Sequence, residues 1–200
     1  MSAFLRIFLP VYFVIFLGLA FFWRSYRVWR ATGHNPYKLG NSDSAHDYIG
    51  RLLRMLLIAG TTMVALYVFL PIAYPYLLPV FWLELASLKR IGVFLLVAGL
   101  IWMLAAQENM GRSWRIGVDL DVRTELVEHG LYRISRNPIF LGMRAILLGL
   151  FLVLPNALSF AILLLGDALI QVQVRLEEGH LLKLHGDSFQ QYRHRTRRWI

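Results

Sequence analysis

The side chains able to do chemistry gather in three polar blocks of the C-terminal half. They are Gly111-Arg112-Ser113-Trp114-Arg115, then Thr124 to Tyr132 running into Arg133-Ile134-Ser135-Arg136-Asn137-Pro138-Ile139-Phe140-Leu141-Gly142, and finally Arg175-Leu176-Glu177-Glu178-Gly179-His180. Adjacent carboxylates such as Glu177 and Glu178 suit two situations: solvated charge at a helix exit, or charge-assisted contact with a cationic, hydroxyl-bearing ligand. Spacing alone favours neither. Asn137 suits a helix N-cap and Pro138 the first helical position, where no amide donor is needed. Capping leaves Gly130, Tyr132 and Gly142 unexplained, and these imply close approach of backbone to a ligand or a neighbouring helix.

Several chemistries are absent from the pattern. The chain has no G-x-G-x-x-G, no G-x-x-x-x-G-K, no H-E-x-x-H and no G-x-S-x-G. It has no cysteine, so disulfides, thiolate metal sites and a cysteine nucleophile are excluded. His180 and His185 do not share the three- or four-residue spacing that aligns two ligands on one helix face, so no metal site is expected.

The elements that must carry these blocks are membrane helices. Of 200 residues, 58% are hydrophobic and 16% charged, with mean hydropathy +0.54, against about 45–50% apolar in an average soluble domain. The formal charge of +9 is dispersed between apolar runs, which points to anionic lipid headgroups and not to nucleic acid. The hydropathy predicts an all-α integral membrane protein of about five transmembrane helices. Phe4 to Trp23 reads as a retained anchor, because Phe21-Phe22-Trp23 runs into Arg24, Arg27 and Arg30 without a cleavage site. Met55 to about Tyr74 and Ile91 to Ala106 follow. Pro71, Pro75 and Pro79 break the apolar stretch between them, making 75–88 irregular at an interface. Ile139 to Leu154 and Ala157 to Val174 complete the set, joined at Pro155-Asn156 in a tight antiparallel hairpin.

Lysine and arginine concentrate in 24–54, 107–137 and the tail from Arg175, while Arg6, Lys89 and Arg90 stand alone on the other side. The expected orientation has the N-terminus outside and the C-terminus cytosolic, with every long polar segment on the cytosolic face. Residues 1–106 then form three N-terminal spans with a cytosolic loop 24–54. Residues 107–200 form a cofactor-binding catalytic region with hairpin 139–174. Arg144 and Asp167 are equidistant from the turn and reach one depth, which predicts an ion pair or a shared polar cavity. The hairpin also forces Glu177 and Glu178 to emerge beside Tyr132 and Asn137.

The motifs G-x-S-W-R, E-L-V-E-H-G-L-Y-R-x-S-R-N-P-I-F-L-G and E-E-x-x-L-L-x-x-x-G-x-x-F-x-x-Y, in this order between Gly111 and Trp199, resemble the isoprenylcysteine carboxyl methyltransferase family and its relatives, the membrane phospholipid N-methyltransferases. The resemblance implies a methyltransferase with an S-adenosylmethionine pocket at the cytosolic mouth of the last hairpin, closed by the C-terminal segment and open laterally to a lipophilic or lipidated substrate. Its cofactor contacts fall on Thr124, Glu125, Leu126, Val127, Tyr132, Asn137, Pro138, Ile139, Phe140 and Glu177. Asn137 and Phe140 replace the family's usual His and Tyr; an amide still hydrogen-bonds but does not titrate. The family's substrate-side arginine is met by Arg175, with Gln173 as the other candidate. Methyl transfer needs alignment and exclusion of water more than proton transfer. A carboxylate acceptor is oriented by a cation such as Arg175, whereas an amine or thiol needs a proton acceptor, for which Glu178 is the candidate.

Carboxyl methylation of a prenylcysteine or similar isoprenoid acid is the first expectation; phospholipid N-methylation and thiol S-methylation are the alternatives. A membrane sterol reductase with a nicotinamide cofactor fits a short chain poorly. A scaffold or transporter subunit lined by Arg144 and Asp167 is weakened by the absence of an internal repeat.

Overall fold

The computed structural model describes residues 1–33, 44–111 and 126–200. These residues form α1 (Ser2–Leu17), α2 (Arg24–Thr32), α3 (Ala45–Phe69), α4 (Ala86–Met110), α5 (Pro138–Val153), α6 (Ala157–His185) and α7 (Asp187–Arg195). Among the described residues, four stretches are long and apolar enough to cross a membrane: Ser2–Thr32, Ala45–Phe69, Ala86–Met110 and Ala157–His185. The expected fifth crossing is shorter. Pro138 starts α5 and the turn at Pro155 stops it, leaving 16 residues, about 24 Å against a hydrocarbon thickness of about 30 Å.

The first crossing and α2 are one continuous rod, joined by a π-helical segment, Gly18–Trp23. The wider turn re-phases the helix so that Arg24, only 5% exposed, faces α4. There its Nη1 donates to Glu108 Oε2 at 2.9 Å and its Nη2 to the Gly111 carbonyl at 2.6 Å. Gln107 Nε2 reaches back to the Ala20 carbonyl within the π segment at 3.2 Å. At the start of α3, Ser44 Oγ accepts from the Asp47 amide at 3.2 Å, and Asp47 lies in the first turn where the helix dipole favours an anion. Residues 71–83 form short 3₁₀ turns, as the prolines require.

In lipid, helices gain little from burying apolar side chains and associate through close packing of small residues. α4 and α5 do this with four glycines, two on each helix and seven residues apart. A Cβ on Gly99 would meet the Gly142 carbonyl at 3.0 Å and one on Gly142 the Gly99 carbonyl at 2.9 Å; Gly92 and Gly149 meet the same way, both at 2.8 Å. The most extensive contact of α5 is therefore with α4, not with its hairpin partner α6. Leu96, Leu100, Met103, Leu150 and Val153 flank this seam, and Leu5, Leu9, Tyr12, Phe13 and Phe16 of α1 close over it. Tyr12 spends its hydroxyl on the Leu96 carbonyl at 3.0 Å.

The α5–α6 turn is fixed by a capping box. Ser159 N donates to Asn156 Oδ1 at 2.9 Å and Asn156 N to Ser159 Oγ at 3.0 Å. Farther along the hairpin, Arg144 Nε meets Asp167 Oδ1 at 2.5 Å, the pair that equal rise along two antiparallel helices requires.

Gly149→Leu should force the seam apart and lower stability in detergent by about 1–3 kcal/mol, the usual range for overpacking. Gly179→Ala, whose Cβ meets nothing within 4 Å, should raise stability by about 0.5–1 kcal/mol through helix propensity. Thermal unfolding followed by tryptophan fluorescence checks both.

Candidate functional site

At the start of α5 the chain Leu131 to Asn137 turns back on itself, and its polar groups meet the last turns of α6. Glu178, 6% exposed, is the anchor. Asn137 Nδ2 donates to its Oε1 at 3.1 Å, Arg136 Nε to the same oxygen at 3.2 Å, and Arg198 Nη2 to Oε2 at 2.8 Å. A carboxylate buried here without such partners would cost several kcal/mol. Asn137 thus heads α5 without capping it: its side chain is drawn to Glu178 and to the Arg198 carbonyl at 3.3 Å. Pro138 occupies the first helical position as expected.

The C-terminal segment is stapled across this cluster. Arg136 N donates to the Arg197 carbonyl at 2.9 Å, Arg136 Nη1 to the Thr196 carbonyl at 2.5 Å, and Ser135 Oγ to the Arg198 carbonyl at 3.2 Å. Tyr192 OH donates to the Tyr132 carbonyl at 2.7 Å. Hydrogen bonding to Glu178 raises the Arg198 pKa further above its ordinary value.

Tyr132 is buried beside this cluster, and burial, reinforced by the nearby charge of Glu177, lifts its phenol well above the ordinary range. It is a neutral hydroxyl at physiological pH. The turn before it needs glycine: Gly130 has φ +59 and the Asn109 side chain occupies the space of a Cβ. Asn109 Oδ1 then accepts from Leu131 N at 2.9 Å, tying the turn to the end of α4.

Of the residues singled out from sequence, Tyr132, Asn137, Pro138 and Glu178 are buried together, and Leu126, Val127, Ile139, Phe140 and Glu177 are half-buried around them. Thr124 and Glu125 lie outside the described residues, as do Arg112, Ser113, Trp114 and Arg115. Arg175 is exposed and bonds within its own helix, Nη1 to the Gln171 carbonyl at 2.7 Å. Gln173 is buried with its Nε2 3.4 Å from His46 Nδ1, directed at α3 and not at the paired glutamates. Glu178 has a different setting from that of a proton acceptor: both oxygens already receive guanidinium hydrogen bonds. Three contributors escaped sequence reading. Arg136 stands inside a quoted motif without an assigned role, Arg198 lies in the basic tail without one, and Arg24 reaches the Gly111 carbonyl from the first rod.

α4, α5 and α6 border a groove of about 470 Å³, lined by Leu141, Leu148 and Leu163 with the small residues Gly99, Gly142 and Ala145; it reaches Trp102, whose Nε1 donates to the Pro138 carbonyl, and the C-terminal Ile200. A buried polar cluster near an apolar groove can hold a polar head while a hydrocarbon chain stays in lipid.

Replacing Glu178 by alanine should remove the anion that holds both Arg136 and Arg198 and release the C-terminal segment. Limited trypsin digestion should then cut after Arg197 and Arg198 at least tenfold faster than in the native protein, read by intact mass.

The family model described as phospholipid methyltransferase matches residues 88–188, from the start of α4 to the start of α7. A search of curated proteins finds no match.

Proposed function

This chain belongs to the phospholipid methyltransferase family, and we propose that it transfers a methyl group from S-adenosylmethionine to the polar head of a membrane lipid at the mouth formed by Tyr132, Asn137 and α6. It is an S-adenosylmethionine-dependent membrane methyltransferase acting on a lipid. The observation that carries the placement is the convergence of Tyr132 and Asn137 with Glu177 and Glu178 beside the apolar groove.

The donor set fits the cofactor. Glu177 supplies an anion for its cationic groups or ribose hydroxyls, Tyr132 a neutral hydroxyl and carbonyl frame, and Leu126, Val127, Ile139 and Phe140 apolar surface. Thr124, Glu125 and the backbone at Pro138 complete the proposed contacts. When bound, S-adenosylmethionine supplies an activated methyl group on a sulfonium centre. The chain's own work is alignment and dryness: Asn137 and Arg136 fix Glu178, Glu178 fixes Arg198, and the strapped C-terminal segment keeps water from the mouth. Glu178 is thereby a positioning residue in this reading. Arg175, exposed near the end of α6, is the proposed partner of an anionic group of the acceptor.

The favoured acceptor is the headgroup of a glycerophospholipid. Carboxyl methylation of a prenylcysteine or another isoprenoid acid is the second reading, supported by the exposed guanidinium groups of Arg133 and Arg175, which suit a carboxylate. The proposed face is cytosolic, on the distribution of Lys and Arg.

Calorimetric titration of the detergent-purified protein with S-adenosylhomocysteine should give saturable binding that Glu177→Ala abolishes; no heat at millimolar ligand would remove the reading. Membranes given a labelled methyl donor should carry label in extracted phospholipid, and label confined to prenylated cysteine would select the second acceptor. Because the chain lacks cysteine, single cysteines at Arg133 and Phe81 report topology cleanly. An impermeant maleimide should label Phe81→Cys in intact cells and Arg133→Cys after permeabilisation alone.

A further inference from the structure

One ion pair lies in the groove but takes no part in the polar cluster around Glu178. Arg144 and Asp167 both line the groove between α4, α5 and α6, with side chains 32% and 37% exposed. The guanidinium is held twice: Nε donates to Asp167 Oδ1 and its carbon lies 4.6 Å from the centre of the Trp199 ring. Among the described residues its two terminal nitrogens meet no protein acceptor, so donors in a fixed fork border an apolar groove. A bridge serving register alone is best buried with its hydrogen bonds complete, because each open donor in lipid costs free energy.

The pair also limits the kind of group that suits these donors. Arg144 and Asp167 sum to zero charge, so an anion beside the guanidinium would also meet the Asp167 carboxylate; an uncharged carbonyl oxygen would not. Position narrows the choice further. From Asn137 to Arg144 is seven residues along α5, or about 10 Å of helix rise. That is comparable to the distance from a glycerophospholipid's headgroup to its ester carbonyls. An isoprenoid chain presents only hydrocarbon at that depth.

We propose that the groove is the glycerol-ester site for a diacyl glycerophospholipid acceptor, with Arg144, poised by Asp167 and Trp199, donating hydrogen bonds to an ester carbonyl while the acyl chain lies over Gly99, Gly142 and Ala145. The headgroup end of this arrangement rests on the function proposed above; the ester contact is testable without it.

The test compares retention of two phosphatidylethanolamines with identical chains, one diester and one diether, by native mass spectrometry of the protein in an ester-free detergent. The native protein should retain the diester at least fivefold more tightly. The double variant Arg144→Leu/Asp167→Leu, which removes both charges together, should retain the two lipids equally while binding S-adenosylhomocysteine with native affinity. Equal retention by the native protein, which needs no variant to fold, overturns the proposal, as does a preference that survives in the double variant. Ester preference without methyl transfer to either lipid upholds the site and sinks the proposed function. Methyl transfer to a prenylated cysteine with no ester preference does the reverse.

Discussion

The contact on which the rest depends is backbone against backbone, where α4 and α5 cross with glycine facing glycine at two levels. No side chain intervenes, so the helices approach until carbonyls and Cα groups touch, a geometry in which dispersion and weak Cα–H···O contacts replace the missing hydrophobic drive. Two levels also fix axial register, since sliding α5 by one residue would set side chains against carbonyls. The end of α4 then becomes a ruler for the polar chemistry beyond it. Trp102 Nε1 donates to the Pro138 carbonyl at 3.0 Å, and Asn109 holds Leu131. Both flanks of the Tyr132–Asn137 turn are therefore measured from one helix.

Upon that ruler the polar cluster joins three distant parts of the chain through one carboxylate. Glu178 comes from the end of α6, Asn137 and Arg136 from the start of α5, and Arg198 from the tail. Each partner satisfies what another leaves unsatisfied: two guanidinium groups and an amide surround an anion that would otherwise be out of place in a dry setting. The tail is bound to 135–137 through its own carbonyls and through the side chains of Tyr192 and Arg198, so backbone and side-chain hydrogen bonds set its course together.

Much of this could be read from residues alone, for definable reasons. Long apolar runs announce crossings because the bilayer sets their length, and the Arg144–Asp167 pair followed from two charges equidistant from a turn. Asn137 beside Glu178 followed from the same hairpin. What resisted reading depended on packing. The capping signal at Asn137-Pro138 was locally correct, yet tertiary hydrogen bonds took the Asn137 side chain elsewhere. α5 counted as a crossing by apolarity, although proline at both ends left it short. Gly142 was flagged for close approach, but only the fold reveals that its partner is Gly99. Arg136 and Arg198 looked like ordinary interfacial cations because nothing in local spacing indicates that a distant glutamate needs them. The sites assigned to Thr124 and Glu125 stand on resemblance alone.

The π-helical segment at Gly18–Trp23 has a wider implication. It lies outside the matched family region, in a rod whose first part is fixed by lipid and by Leu5, Leu9 and Tyr12, and whose last part presents Arg24 to Gly111. Each residue of a helix advances it by about 100°. Loss of one residue here would leave the membrane anchor intact and swing Arg24 round to the solvent or lipid side. The segment is a phase adjuster between an element that any lipid-facing sequence could supply and a junction that accepts only one azimuth; natural variation in this stretch should therefore tolerate changes of residue far better than changes of length.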